Sequence, residues 1–353
     1  MFVDDYQKIF LSDRPMLDVR APIEFEQGHF QHAQNKPLLD NQQRQSIGLC
    51  YKEQGQDAAI EMGWQMATEE VIEARINHWA EFTRANPEGC LYCFRGGLRS
   101  RFSQQLLQQH GIDYPIVKGG YKAMRQFLLQ ELKQACQEAP LIIIAGPTGS
   151  GKTKAIEQIE RCIDLEAEAC HRGSAFGQLL NAQQPAQISF ENNISQRWLK
   201  LGRERAVLME DEGRLIGRLN LPDYLQAAMQ KAPLVQIEEP LEQRCQWVIE
   251  DYVLSPLQHI SLEEFSHNLS ANLYRIRKRL GGLRYQALQK EFEQACQSWS
   301  KQQEASAFYG PIEQLLRDYY DPMYKYQLQQ RQGQVLFRGR CQELVDWCRE
   351  QNL

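Results

Sequence analysis

Leu141-Ile142-Ile143-Ile144-Ala145-Gly146-Pro147-Thr148-Gly149-Ser150-Gly151-Lys152-Thr153 joins five apolar residues to a glycine-rich turn that ends in lysine and threonine. An unbroken apolar run of that length reads as a strand buried on both faces, the usual state of a central strand in a parallel sheet. The Gly-x4-Gly-Lys-Thr spacing that follows is that of a P-loop, and a preceding strand is the context that confirms it. Glycines let backbone N–H groups turn toward a diphosphate at a helix N-terminus. Lys152 is placed to neutralise phosphate oxygens and Thr153 to reach a Mg2+ ion. Gly146, Thr148, Gly149, Ser150 and Gly151 complete the expected cradle.

Working downstream, Ala206-Val207-Leu208-Met209 is a second buried strand, and it runs into Glu210-Asp211-Glu212. A carboxylate at that strand end suits a metal-bound water. The residues alone do not choose among the three acids; Asp211, with Thr153, is the expected metal pair. Between the two strands, His171-Arg172-Gly173-Ser174 forms a turn able to offer cations and amides to a phosphate or to RNA, with Arg172 as the expected contact. Pro233-Leu234-Val235-Gln236-Ile237 is a further strand, and from Leu241 onward the pattern is helical and rich in glutamine and charge.

Upstream, Met16 to Val19, Cys90 to Cys93 and Tyr114 to Val117 read as short buried strands. Amphipathic stretches lie between and after them, at Thr68–Asn86, Arg99–His110 and Tyr121–Glu138. Ala21 to Phe30 reads as a turn-rich connection, and Gly111 sits where a helix C-terminus favours glycine. Strands alternating with helices predict an α/β chain built on parallel sheets. The expected division is 1–135 for a first domain and 136–353 for a P-loop domain with a helical C-terminal region.

The first half carries its own reactive loop, Cys93-Phe94-Arg95-Gly96-Gly97-Leu98-Arg99. A nucleophilic cysteine acts as thiolate, and an ordinary thiol is little ionised at neutral pH. Gly96 and Gly97 allow the loop amides to curl inward, a helix begins near Arg99, and Arg95, Arg99 and Arg101 add cations. That setting suits a thiolate, a persulfide or a perselenide, with Cys93, Arg95, Arg99 and Lys152 as the expected catalytic set. A phosphatase with a C-x5-R loop is the rival chemistry.

Bulk composition narrows the classes. With 353 residues, 42% hydrophobic and 24% charged, the chain is that of a globular protein with room for two cores. No apolar run approaches a membrane span, and the acidic start Met1-Phe2-Val3-Asp4-Asp5 lacks the layout of a signal peptide, so the cytoplasm is expected. The ten cysteines are scattered, and Cys90-Leu91-Tyr92-Cys93 has no second pair with which to build a zinc ribbon. A net charge of −5 argues against bulk affinity for nucleic acid, but local basic faces exist: Arg197, Lys200, Arg203 and Arg205, and Tyr274 to Arg279.

Asp18-Val19-Arg20-Ala21-Pro22-Ile23-Glu24-Phe25, Gly28-His29 and Ala33-Gln34-Asn35-Lys36-Pro37 resemble the rhodanese signature that precedes such a cysteine loop. In rhodaneses the acid and the arginine hold the framework, which implies structural roles for Asp18 and Arg20. Taken with the P-loop, Asp164-Leu165-Glu166, His171 to Ser174, Glu210 to Glu212 and Tyr319-Tyr320-Asp321-Pro322-Met323-Tyr324, the chain resembles the bacterial tRNA 2-selenouridine synthases nearly end to end. Phe94 stands where tryptophan is common in that family. The resemblance implies a transferase acting on the anticodon-loop wobble 2-thiouridine of tRNA. It would first attach a geranyl group from geranyl diphosphate to the sulfur. It would then replace the geranylated sulfur with selenium from selenophosphate, through a perselenide on Cys93. Unstacked loop bases are held by aromatic and cationic groups. Tyr274 with Arg275, Arg277 and Arg279, or the Tyr319-Tyr320 and Tyr324-Tyr326 groups, are the expected clamps. A P-loop kinase or NTPase carrying a rhodanese module for regulation or sulfur transfer is the alternative, and a non-catalytic sensor a further one.

Overall fold

The structure, a computed structural model, describes residues 1–173, 176 and 183–353. Ser174, in the turn singled out above, lies outside the described residues. Two compact units are present: Met1–Gln134 with Ala186–Lys200, and Ala135–Pro185 with Leu201–Leu353. The expected cut at 135/136 lies one residue from 134/135, and residues 186–200 cluster with the first unit.

In the first unit, β1 (Phe2–Val3), β2 (Met16–Asp18), β3 (Ala33–Asn35), β4 (Cys90–Tyr92) and β5 (Ile116–Val117) form one sheet in the order β1-β5-β4-β2-β3. Every pairing is parallel. Side chains alternate across a pleated strand, so both faces are apolar when both are covered. Met16, Cys90, Tyr92 and Val117 share one cluster with Ile9, Phe10, Met124 and Leu128. Leu17, Val19, Leu91, Cys93 and Ile116 share the other with Ile76, Trp79, Phe82 and Leu107. Helix Glu69–Ala85 is capped by Thr68, whose hydroxyl accepts from the Val71 N–H. The stretch read as a turn after Arg20 contains a short helix, Pro22–Glu26, with Pro22 at its first position.

Helix Gln187–Leu201 supplies the excursion back to this unit. Gly28 makes room for it, because a Cβ there would lie 2.3 Å from the Ile188 side chain. Arg125 donates to the Ile188 carbonyl, to Asn192 Oδ1 and to Glu191 Oε2, at 3.2, 2.9 and 2.6 Å. The His29 N–H donates to Ser189 Oγ.

In the second unit, β6 (Leu141–Ala145), β7 (Cys162–Ile163), β8 (Val207–Glu210), β11 (Leu234–Ile237) and β12 (Val335–Gly339) form a parallel sheet in the order β12-β11-β6-β8-β7. The remaining strands, β9 (Leu215–Ile216) and β10 (Leu219–Asn220), make a small antiparallel pair. Ile142, Ile144, Leu208, Val235 and Ile237 pack against Ala155 and Ile156 of helix Lys152–Ile156, and against Leu344 and Val345 of helix Cys341–Glu350. A separate core is built from the helices after Leu241, around Phe265, Leu273, Phe292, Phe308 and Ile312. Among the described residues no helix is long and apolar enough to cross a membrane. All ten cysteines are free.

Candidate active sites

The cysteine loop of the first unit follows β4. Cys93, 3% exposed, directly follows that strand, and the loop is clasped from the far side by Gly119-Gly120. The Tyr121 and Lys122 N–H groups donate to the carbonyls of Cys93 and Phe94, both at 2.9 Å. Gly120 adopts φ +59°, and a Cβ there would lie 2.2 Å from the Cys93 carbonyl oxygen and 2.5 Å from the Gly96 nitrogen. Only glycine meets both demands. Cys90, three residues earlier, points into the opposite face of the sheet, where burial pushes its thiol up to about 12. The two cysteines of the C-x-x-C therefore cannot act together.

Cations are distributed unevenly around the loop. Arg95 is exposed and lies over the Phe94 ring. Arg99 forms a bidentate pair with Glu24, at 2.5 and 3.0 Å, and its charge reaches Cys93. Burial favours the neutral Glu24 carboxyl, but the hydrogen bond and charge of Arg99 outweigh it, so the pKa falls below the ordinary value. Asp18 and Arg20 are buried and paired, and the guanidinium lies 3.8 Å over the Tyr121 ring while donating to the Gly28 carbonyl. That pair braces the loop from beneath and touches no open space.

A cavity of about 590 Å3 opens beside this loop. Ile60, Trp64, Phe94, Leu98, Phe102 and Leu106 give it apolar walls, and Arg44, Lys52, Arg75 and Arg99 give it four cations. Neither the cavity nor the Arg99–Glu24 pair carries a local sequence signal, since the walls come from four separate helices and the loop.

In the second unit the P-loop links β6 to helix Lys152–Ile156. Gly149 and Gly151 have φ of +77° and +82°. Ser150 Oγ occupies the space that a Cβ on Gly146 would need, 2.4 Å away. Lys152 Nζ donates to the Gly146 carbonyl at 2.9 Å, and Thr153 is exposed. Arg244, which the sequence reading passed over, is 4% exposed and donates to the Thr148 carbonyl through Nε and Nη2, at 3.0 and 2.9 Å. Its outer edge is bidentate on Asp321, at 3.0 and 2.6 Å.

The acids at the end of β8 sort differently from expectation. Asp211 forms an ion pair with Arg331, both side chains being largely buried, so its charge is already met. Glu166, Glu210 and Glu212 instead bring carboxylate oxygens within 4.8 Å of one another. Glu210 is held well above its ordinary pKa by burial and by the charges of Glu166, Asp164 and Glu212. Glu212 is pushed up to about 8 by burial and by Glu166, against the pull of Lys152. Clustered acids that raise one another in this way fit a hard divalent cation, whose oxygen-seeking charge relieves the repulsion. These three glutamates, and not Asp211, form the cluster that could hold such a cation. The Gly173 N–H donates to Glu166, so the turn after Cys170 closes over the acids. Burial lowers the His171 pKa, and Arg172 donates to the Asp251 carbonyl while lying 4.8 Å over the Tyr252 ring.

Of the expected base clamps, Tyr319 and Tyr320 are buried and meet edge-on, with Tyr320 lining a cavity of the second unit. Tyr274 and Tyr326 are exposed, and Arg277 covers the Tyr274 ring at 3.5 Å. Lys200 is paired with Asp13 and Arg203 with Glu138, which removes two charges from the basic cluster read around them.

The family described as tRNA 2-selenouridine synthase AAA domain matches residues 139–353. The chain is 44% identical over 356 residues to the tRNA 2-selenouridine synthase of Marinobacter nauticus, with 98% of this chain and 97% of the relative covered. It is 45% identical over 359 residues to that of Cupriavidus pinatubonensis, covering 99% and 98% of the two chains. The counterpart from Hahella chejuensis is 46% identical over 355 residues, covering 98% and 93%.

Proposed function

The chain belongs to the tRNA 2-selenouridine synthase family, and on that footing we propose that it converts the wobble 2-thiouridine of tRNA to 2-selenouridine in two steps, in the cytoplasm. In the first, the uridine sulfur attacks the first carbon of geranyl diphosphate, forming the S–C bond as the C–O bond to diphosphate breaks. In the second, the selenium of selenophosphate, held beside Cys93, bonds to C2 of the base as the geranyl thiol leaves, and water then cleaves the Se–P bond to release phosphate.

The P-loop amides and Lys152 hold the departing diphosphate, in a cradle fixed by Arg244 through Thr148. Glu166, Glu210 and Glu212 are the residues that would hold Mg2+, which would offset charge developing on the leaving group. A thiocarbonyl is a poor electrophile, and alkylation turns its sulfur into a leaving group. Cys93 and the clasped loop then hold the selenium donor, and the charge of Arg99, itself paired with Glu24, reaches the cysteine.

The observation that carries this reading is the apolar cavity of about 590 Å3 beside the cysteine loop, rimmed by four cations. Hydrocarbon walls beside four cations, of which Arg44 and Arg99 face Glu24 in the same lining, suit a nucleotide that arrives bearing a terpene chain. Mass spectrometry of tRNA from cells carrying Cys93→Ala or Lys152→Ala tests it. The first variant should accumulate S-geranyl-2-thiouridine, and the second should leave 2-thiouridine unaltered. Normal 2-selenouridine in the Cys93→Ala strain would remove Cys93 from the chemistry.

A further inference from the structure

A second cavity, of about 600 Å3, lies within the other unit and begins at the P-loop residue Thr148. Its outer lining is polar and charged: Arg172, paired with Asp251, lines it together with Thr148, and exposed His259, Glu264 and Arg275 and the amides Asn268 and Asn272 line it too. Its inner lining is hydrocarbon. Phe265, Phe292, Phe308, Ile312 and Leu316 contribute to it and are each 5% exposed or less.

The wall is also built in an unusual way. Two π-helical turns, Glu250–Leu254 and Leu316–Tyr320, both contribute lining residues, Asp251 to Val253 from one and Leu316 with Tyr320 from the other. A π-turn widens a helix by one residue, a costly distortion that recurs at binding sites. Here both distortions border the same space. Arg244, which anchors Thr148, reaches Asp321 at the end of the second π-turn, so the diphosphate cradle and the cavity wall share one brace.

A ligand that satisfies this lining is anionic at one end and branched hydrocarbon at the other. We propose that the cavity holds the prenyl chain of an allylic diphosphate donor, with the diphosphate on residues 146–152 and Arg172, and that its inner wall sets the accepted chain length. This rests on the two-step reading above and adds to it the place and the selectivity of the donor.

The test compares dimethylallyl, geranyl and farnesyl diphosphates as donors to a 2-thiouridine anticodon stem-loop, using the full chain. Ile312→Trp fills the inner wall, and Leu269→Phe does so from a partly buried position that disturbs the core less. Each should raise the geranyl KM about tenfold or more, leave the shorter dimethylallyl donor within about twofold, and leave inhibition by inorganic pyrophosphate unchanged. Phe292→Ala should shift preference toward farnesyl. Geranyl KM values within twofold of wild type in both filling variants, or equal losses on all donors, would overturn the chain pocket and leave the two-step reading standing. Absence of geranyl transfer by the wild-type chain would instead sink that reading, and the inference with it.

Discussion

Replacing Arg244 by methionine removes the brace between the P-loop and Asp321 while keeping a long apolar stem in its place. The guanidinium is 4% exposed, and the Asp321 side chain 22%. Removing one partner of a buried ion pair strands the other charge and costs about 3–5 kcal/mol. Asp321 keeps some access to water, which favours the lower end, about 3 kcal/mol. The two hydrogen bonds lost at the Thr148 carbonyl add about 1 kcal/mol net. For a domain of this size each kcal/mol moves Tm by roughly 2–4 °C, so Arg244→Met should lower the transition of the second unit by about 8–16 °C. Calorimetry of the full chain measures the shift. Asp321→Asn in the Arg244→Met background removes the stranded charge, and should recover about half of the loss as a positive coupling energy. A single-variant shift below about 3 °C, or a double variant no more stable than the single, would show that the pair is not a buried brace.

Gly120→Ala should abolish selenation, by about a hundredfold or more, while S-geranylation continues, because its Cβ drives into the Cys93 carbonyl from a left-handed backbone; single-turnover assays of each step on the same tRNA separate the two. The Glu212 proton gives a pH signature. Its pKa is about 8 in the folded chain against an ordinary 4.5, so the unfolded chain releases a proton that the folded one keeps. The metal-free protein therefore loses stability as pH rises from about 4.5 to 8, with Glu210 adding to the loss because its pKa is raised too, and Glu212→Gln should make that slope shallower in a series of thermal melts. Mg2+ should raise Tm more at pH 8 than at pH 6 in the native chain; an equal rise in a Glu166→Gln/Glu212→Gln variant would place the ion elsewhere.

Local patterns were the readable part. The run Leu141–Ala145 is apolar at every position because both of its faces are covered, and glycine spacing in the loop after it reflects backbone angles set within a few residues. The same holds for β4 and the loop carrying Cys93. Long-range pairing was not readable. Glu24 meets Arg99 across 75 positions, and Arg331 meets Asp211 across 120, so the acid next to the right strand was already neutralised by an arginine that no local pattern announces. Glu166 sat in a recognised stretch but joined an acid cluster only by meeting Glu210 and Glu212 in space. Tyr319 and Tyr320 look like surface aromatics in a tyrosine-rich segment, yet they lie on the inner side of a π-turn.

The helix at 187–201 has a consequence for biosynthesis. Ile188 and Leu199 belong to the core of the first sheet, and Arg125 finds its acid, Glu191, only there. A ribosome that has emitted 134 residues has not yet made all of that core. The side of helix Gly120–Glu138 around Tyr121 and Arg125 lacks its partner while β6, the P-loop and the turn after it emerge. Maturation of the amino-terminal half is thereby postponed until much of its neighbour's polypeptide already exists, and a gene fragment ending at the apparent boundary would yield a product with a sticky, incompletely clothed flank.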